Sequence, residues 1–136
     1  MTFEELKEFR QKKNRFCNKL GMSIVDLSLG YSKVKKTITE DDLNPIDRPH
    51  GGVYFTMADH AAGTAMASHG YVAVTVTATY NFFKAANLGD DLFAEAKEIK
   101  SGKTISVYEV NVTDQNGALL GNGSFTFCKL DQKLNF

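Results

Sequence analysis

The chain has 136 residues, and 16 basic side chains balance 16 acidic ones, so the formal net charge is zero. This length predicts one domain spanning 1–136, and the lack of a basic excess argues against nucleic acid as the main partner. No run approaches the ~18 apolar residues of a membrane helix, and the charged N-terminus has no apolar signal core. Cys17 and Cys128 lie far apart and fit no zinc or redox motif. We therefore expect a cytoplasmic protein with no membrane contact and no metal.

The first predicted element is an amphipathic helix over residues 3–20. Thr2 followed by Glu5 resembles a capping box at its start. The polar side is mostly basic, and we interpret it as a solvated helix face in preference to an anion-binding patch. The apolar residues recur at helical spacing, and they are Phe3, Leu6, Phe9, Phe16 and Leu20.

A hairpin is predicted over residues 22–39, turning near Gly30. Val25, Leu27 and Leu29 alternate with polar residues, which is typical of a strand with one buried face.

The segment 51–68 predicts a central helix. It contains one Asp and one His among many alanines, and its apolar residues occur all round the helix, so we expect it to be buried. Small side chains allow close approach of other backbone. A sheet wrapped around this helix explains the composition.

Four further strands follow, the first over 71–83. Alternation places one set of its residues on a single face, namely Val72, Val74, Val76, Ala78, Tyr80 and Phe82. The other three strands are predicted at 90–100, 103–113 and 118–129, separated by short turns. Strands joined by tight turns favour an antiparallel sheet, so the predicted class is α+β.

Candidate chemistry is concentrated around the start of the central helix. Gly51 and Gly52 would expose backbone N–H groups at a helix N-terminus, where an anion or a developing oxyanion can bind. The alternative is that the glycines only permit a tight turn. Asp59 is a lone carboxylate among small residues, which indicates either a functional group or a satisfied structural one. His60 lies about 100° further round the helix, so we interpret it as a packed or exposed side chain.

The spacing between the two candidates has a geometric consequence. Eight helical residues separate Gly51 from Asp59 by roughly 12 Å. A general base and an oxyanion donor must both lie about 3 Å from the reacting group. If both act on one carbonyl, Asp59 must come from a second copy of the helix, and the hypothesis requires a symmetric dimer.

Several segments together resemble a known family. Asn44, then His50-Gly51-Gly52, then Asp59 in HGGVYFTMAD resemble the hotdog-fold acyl-CoA thioesterases of the phenylacetate-pathway (PaaI) type. TVTATYNFFKAA and the terminal GALLGNGSFTF extend the similarity over nearly everything after Gly21. The resemblance implies a six-stranded antiparallel sheet around one long helix. It also implies homodimers that pair into homotetramers.

The resemblance also implies roles for individual residues. The Gly51 N–H would polarise the thioester carbonyl, and Asp59 of the partner chain would activate water or attack directly. Asn44 would orient that water, and His50 would support the loop or the carbonyl contact. Thr75 matches a Ser/Thr position near the nucleophilic water.

Coenzyme A would be part of the substrate, so no separate cofactor is expected. Its phosphates would be met by basic residues among Lys84, Lys97, Lys100 and Lys103, between which the spacing does not choose. Lys84 and Lys103 are our candidates, together with Gly52.

The predicted function is thus hydrolysis of an acyl-CoA, aromatic or of short to medium chain length, to a free acid and CoA. Two alternatives on the same fold are an acyl-CoA-binding module and an acyl-thioester hydratase or dehydratase. The chain lacks the His-x-x-x-x-Phe-Pro-Gly pattern of acyl-carrier-protein dehydratases.

Overall fold

A computed structural model describes residues 1–134 as one antiparallel six-stranded sheet with helices on one side. The strand order is β1-β2-β4-β5-β6-β3, and the long helix α3 contacts all six strands. The predicted α+β class and the hotdog arrangement are therefore confirmed. The elements are α1 Phe3–Lys13, α2 Arg15–Lys19, β1 Ser23–Ser28, β2 Tyr31–Thr37, a 3-10 turn Glu40–Asp42, α3 Gly51–Ala67, β3 Tyr71–Phe82, β4 Asp91–Ser101, β5 Ile105–Thr113 and β6 Leu119–Lys133.

The helix α3 fills the concave side of the sheet. Its alanines at 58, 61, 62 and 65 have no exposed surface, and Met57 and Met66 are equally buried. Alanine favours the helix and lets the strands pack closely against its backbone, while each fully buried methionine contributes roughly 1.5–3 kcal/mol. Within residues 1–134, no helix is long and apolar enough to cross a membrane.

The predicted single helix over 3–20 is wrong, because the chain breaks at Asn14 into α1 and α2. The Asn14 side chain accepts a hydrogen bond from the Cys17 N–H and caps α2. Asparagine competes with the helical backbone in this way, which the apolar spacing did not reveal. The break leaves Phe16 63% exposed and turns Cys17 inward.

The hairpin β1–β2 turns at Gly30, as predicted, where φ is +69°. A register shift between Ile24 and Asp26 interrupts the alternation of β1. As a result Ile24 and Leu27 are buried, while Val25 and Leu29 are exposed. The predicted common face of Val25, Leu27 and Leu29 is therefore wrong.

A second bulge decides which way β3 points. The register with β6 shifts between Thr75 and Thr77, so that Val76 is the extra residue. Val74 and Val76 are about half exposed, whereas Ala78 and Tyr80 pack on the core. The predicted single apolar face of this strand is wrong for that reason, and the bulge turns Thr75 toward α3.

An ion pair ties the strand β2 to the loop that precedes α3. Lys36 Nζ lies 3.0 Å from Asp42 Oδ2, and both side chains are only 3% exposed. Lys36 also donates to the carbonyl of Leu20, and Asp42 Oδ2 accepts from the N–H and hydroxyl of Thr39. The carbonyl of Asp42 accepts from the N–H of His50, so the pair anchors the residue that starts α3.

Replacing Lys36 by methionine leaves the buried Asp42 carboxylate without its cation. We expect Lys36→Met to lower the free energy of unfolding by about 3–5 kcal/mol, measured by urea denaturation. The neighbouring Lys35→Met variant, on the other face of β2, is the control and should change it by less than about 1 kcal/mol. Equal stability of the two variants would contradict this role.

Candidate active site

The start of α3 presents one unused backbone donor. His50 precedes the helix, and its Nδ1 accepts from the N–H of Gly52 at 2.8 Å. The N–H of Val53 donates to the carbonyl of His50. Within residues 1–134 the Gly51 N–H has no acceptor, so it remains available to a ligand carbonyl at the positive end of the helix dipole.

The capping contact uses one ring nitrogen of His50 and the N–H of Gly52. Because Nδ1 accepts a hydrogen bond, the neutral His50 ring carries its proton on Nε2. The Gly52 N–H already donates a hydrogen bond to His50, and Gly52 does not line the cavity beside Gly51 that is described below.

The side chain of Asn44 shapes the loop before the helix. Its Oδ1 accepts from the N–H groups of Ile46 and Arg48, at 3.0 and 3.1 Å. The Asn44 N–H donates to the carbonyl of Arg48, and Asp47 adopts a positive φ of 59° between them. The Nδ2 amide of Asn44 has no partner in the described part of the chain.

A cavity of about 310 Å³ opens beside Gly51, and we call it the Gly51 cavity. A Cβ at position 51 would lie 3.3 Å from the Phe82 ring, so glycine allows this ring to approach. Asn44 and Lys84 both line the cavity. The remaining lining residues are Ile46, Arg48, Pro49, Tyr54, Phe83, Ala85 and Leu120.

Asp59 faces a different cavity, two helical turns along α3. Thr75 Oγ1 donates to Asp59 Oδ1 at 2.8 Å, a contact made possible by the bulge in β3. The second carboxylate oxygen has no hydrogen bond within residues 1–134. The half-buried carboxylate is therefore oriented by Thr75 and keeps one oxygen for water or substrate.

This Asp59 cavity has a volume of about 400 Å³. Arg10 of α1, Cys17 of α2 and Asn14 between the two helices line it. None of the three was predicted, because the basic side of the N-terminal helix was interpreted as a solvated face. A signal existed, since Arg10 lies one turn after the buried Leu6 and on the same helix face. The other lining residues are Phe16, Phe55, Thr56, Asp59, His60, Gly63, Ala73, Thr75 and Phe127.

One chain keeps its candidate groups apart. The Gly51 cavity and the Asp59 cavity share no lining residue. Lys103 lines a third cavity with Tyr71 and Lys129, so the structure does not bring Lys103 near Lys84 within a chain.

Among the described residues, no cluster of three or more His, Cys, Asp or Glu side chains could hold a metal ion.

His60 is buried at the back of the Asp59 cavity and makes no hydrogen bond to Asp59 in the described structure. Its Nδ1 lies 3.3 Å from Asn14 Nδ2 and 3.5 Å from Thr64 Oγ1. Burial, and to a smaller extent the nearby Arg10 cation, lowers the pKa of His60 to about 4. The ring is therefore neutral at pH 7.

Comparison with known proteins identifies the family of this chain. Residues 49–120 match the Thioesterase superfamily, a range that includes Gly51, Asp59 and Thr75. The chain belongs to this superfamily. The thioesterase is 35% identical over 103 residues to the acyl-coenzyme A thioesterase PaaI of Escherichia coli K12, which spans 75% of this chain and 74% of that protein. It is 26% identical to human acyl-coenzyme A thioesterase 13, over 92% of each chain.

Solved structures give the same result. The E. coli PaaI protein from the phenylacetic acid degradation operon matches this thioesterase with a TM-score of 0.90 and 27% identity, over 98% of this chain and 97% of that one. A hypothetical thioesterase protein of Streptococcus pneumoniae TIGR4, solved with coenzyme A, matches with a TM-score of 0.85 and 27% identity, over 91% of this chain and 99% of that one. The resemblance to PaaI-type hotdog thioesterases and the assignment as a thioester hydrolase are confirmed.

The neutral His60 makes the stability of this thioesterase depend on pH. Below pH 6.5 the unfolded chain binds a proton that the folded chain binds only near pH 4, so stability falls as pH falls through this range. We expect His60 to account for a loss of about 2 kcal/mol between pH 7 and pH 5. Urea denaturation at both pH values should show this extra loss in the wild type and not in His60→Gln. An identical pH dependence in both proteins would refute it.

Proposed function

We propose that this chain hydrolyses an acyl-CoA to a carboxylic acid and free CoA. The observation that carries the proposal is the pairing of a free Gly51 N–H at a helix N-terminus with the Thr75-oriented carboxylate of Asp59. These are the two groups that acyl transfer to water requires, a donor for the oxyanion and a base or nucleophile. The coenzyme A bound by the S. pneumoniae protein supports CoA as the leaving group.

In the proposed reaction, the Gly51 N–H and the helix dipole stabilise the negative charge that develops on the thioester oxygen. Asp59 takes a proton from water, whose oxygen forms the new bond to the carbonyl carbon. The carbon–sulfur bond then breaks, and the CoA sulfur leaves with the electron pair and receives the proton. Direct attack by the Asp59 carboxylate, followed by hydrolysis of the anhydride, gives the same products.

The remaining candidates would support these steps. Thr75 holds the carboxylate of Asp59, and the free Nδ2 of Asn44 would donate to the water or the carbonyl oxygen. His50 holds the first turn of α3 through Gly52, which places the Gly51 N–H. Gly52 would therefore contribute by donating its N–H to this cap, with a CoA contact through its exposed surface.

Each site would be shared between two protomers, because the Gly51 and Asp59 cavities of one chain are separate. The strand β3 is an edge of the sheet, carries no charged residue and exposes Val74 and Val76. Such an edge can pair with its symmetric copy, and this pairing brings two α3 helices side by side. We propose a homodimer with one hotdog domain per chain, which pairs further into a homotetramer and works in the cytoplasm.

The CoA phosphates would contact Lys84 at the Gly51 cavity and Lys103 of another protomer, since one chain does not bring these lysines together. The acyl group would enter the Asp59 cavity, where Phe16, Phe55 and Phe127 supply aromatic walls. An aromatic or a short to medium acyl chain fits this proposal, and no separate cofactor takes part.

Removing the base tests the reaction directly. We expect Asp59→Asn to lower kcat/KM for acyl-CoA hydrolysis by a factor of roughly 100 to 10,000, because a general base contributes about that much. Asp41→Asn removes an exposed carboxylate elsewhere and should retain the wild-type rate. Release of free CoA thiol measures both. A folded Asp59→Asn protein with the wild-type rate would overturn the role of Asp59.

Mixing two inactive variants tests the shared site. Asn44→Asp keeps the Oδ1 acceptor that builds the loop but removes the amide donor, and Asp59→Asn removes the base from the other half. Each heterodimer would contain one intact site, so an equal mixture refolded together should recover about a quarter of the wild-type activity. Each variant refolded alone is the control, and no recovery in the mixture would show that the sites are not shared.

A further inference from the structure

The N-terminal helices close one wall of the Asp59 cavity. The matched family range begins at residue 49, so α1 and α2 lie outside it, and yet they supply Arg10, Asn14, Phe16 and Cys17 to the lining. This wall faces the side of α3 that carries Asp59 and Gly63. It is therefore placed to contact the acyl group of the proposed substrate.

Arg10 introduces a positive charge that makes no direct ion pair in the described part of the chain. Its Nε donates to Thr64 Oγ1 at 3.0 Å, and one terminal nitrogen lies against Gly63, 3.4 Å from the position of a Cβ there. Within residues 1–134 no carboxylate oxygen lies within 4.0 Å of the guanidinium. Burial lowers the pKa of Arg10, which shows that the group has lost much of its water.

The neighbours of Arg10 do not neutralise it. His60 is neutral, and Thr64 and Asn14 contribute only neutral hydrogen-bonding groups. Asp59 acts on Arg10 through space, but its Oδ1 is held by Thr75 on β3. A partly desolvated guanidinium with free terminal N–H groups fits a carboxylate better than any neutral group, because the two can form paired charge-assisted hydrogen bonds.

We propose that Arg10 binds a carboxylate at the far end of the acyl group, so that the preferred substrates are CoA thioesters of short dicarboxylic acids. This inference rests on the proposed function. Gly63 lies four residues after Asp59 on α3, about 6 Å along the helix axis. The bound carboxylate would therefore lie about one helical turn from the reacting carbonyl.

The test compares two CoA thioesters of equal chain length, glutaryl-CoA with a terminal carboxylate and valeryl-CoA with a terminal methyl group. For the wild type we expect kcat/KM to be at least about tenfold higher with glutaryl-CoA, as a charge-assisted pair provides. Arg10→Met should remove this preference, so that the ratio of the two kcat/KM values approaches one. Arg10→Lys should restore part of it, and Arg15→Met, which removes an exposed arginine outside the cavity, should leave it unchanged.

The ratio of the two rates separates specificity from folding. A structural role for Arg10 would lower hydrolysis of both thioesters equally, and an unchanged ratio in Arg10→Met would overturn the proposal. A wild type that hydrolyses valeryl-CoA as well as or better than glutaryl-CoA would also overturn it, without any variant, while leaving the proposed function intact. A wild type that hydrolyses neither of these nor an aromatic acyl-CoA would instead refute the proposed function, and this inference with it.

Discussion

The burial of α3 within the sheet is the constraint on which the other features depend. A helix that contacts all six strands can carry few large side chains, and its alanines are buried. A charged side chain or an unpaired backbone donor on such a helix needs a place where the packing opens into a cavity or ends, whereas the buried Thr64 and His60 have hydrogen-bonding partners. Gly51 and Asp59 occupy those two positions, at the first turn and beside the bulge of β3.

The rigidity of this helix also separates the two groups. They lie eight residues apart on one helix, and the chain places them in cavities with no common lining residue. In the proposed function each chain supplies two half-sites, and the uncharged edge strand β3 is the surface on which a second copy would complete them. The Lys36–Asp42 ion pair fixes the loop before α3, because Asp42 accepts hydrogen bonds from Thr39 at its start and from the His50 N–H at its end.

The second half-site combines charges of opposite sign that do not pair directly. Asp59 is bonded to Thr75, Arg10 is bonded to Thr64, and the neutral His60 lies between the helices. Keeping His60 unprotonated avoids a second cation beside Arg10. The N-terminal helices are therefore part of the cavity, and their contacts define what an acyl group would meet.

The sequence by itself determined the elements whose signals are local. The alanine-rich composition identified α3, Gly30 located the turn of the hairpin, and the HGG motif with Asp59 identified the two ends of the candidate site. Only the tertiary structure decided the break at Asn14, the inward turn of Thr75 at the β3 bulge and the placement of Arg10 in the cavity. The break at Asn14 depends on one side chain that bonds the nearby Cys17 N–H. The other two features depend on partners distant in sequence, β6 for the bulge and Thr64 for Arg10. Periodicity within a strand or helix does not contain this information.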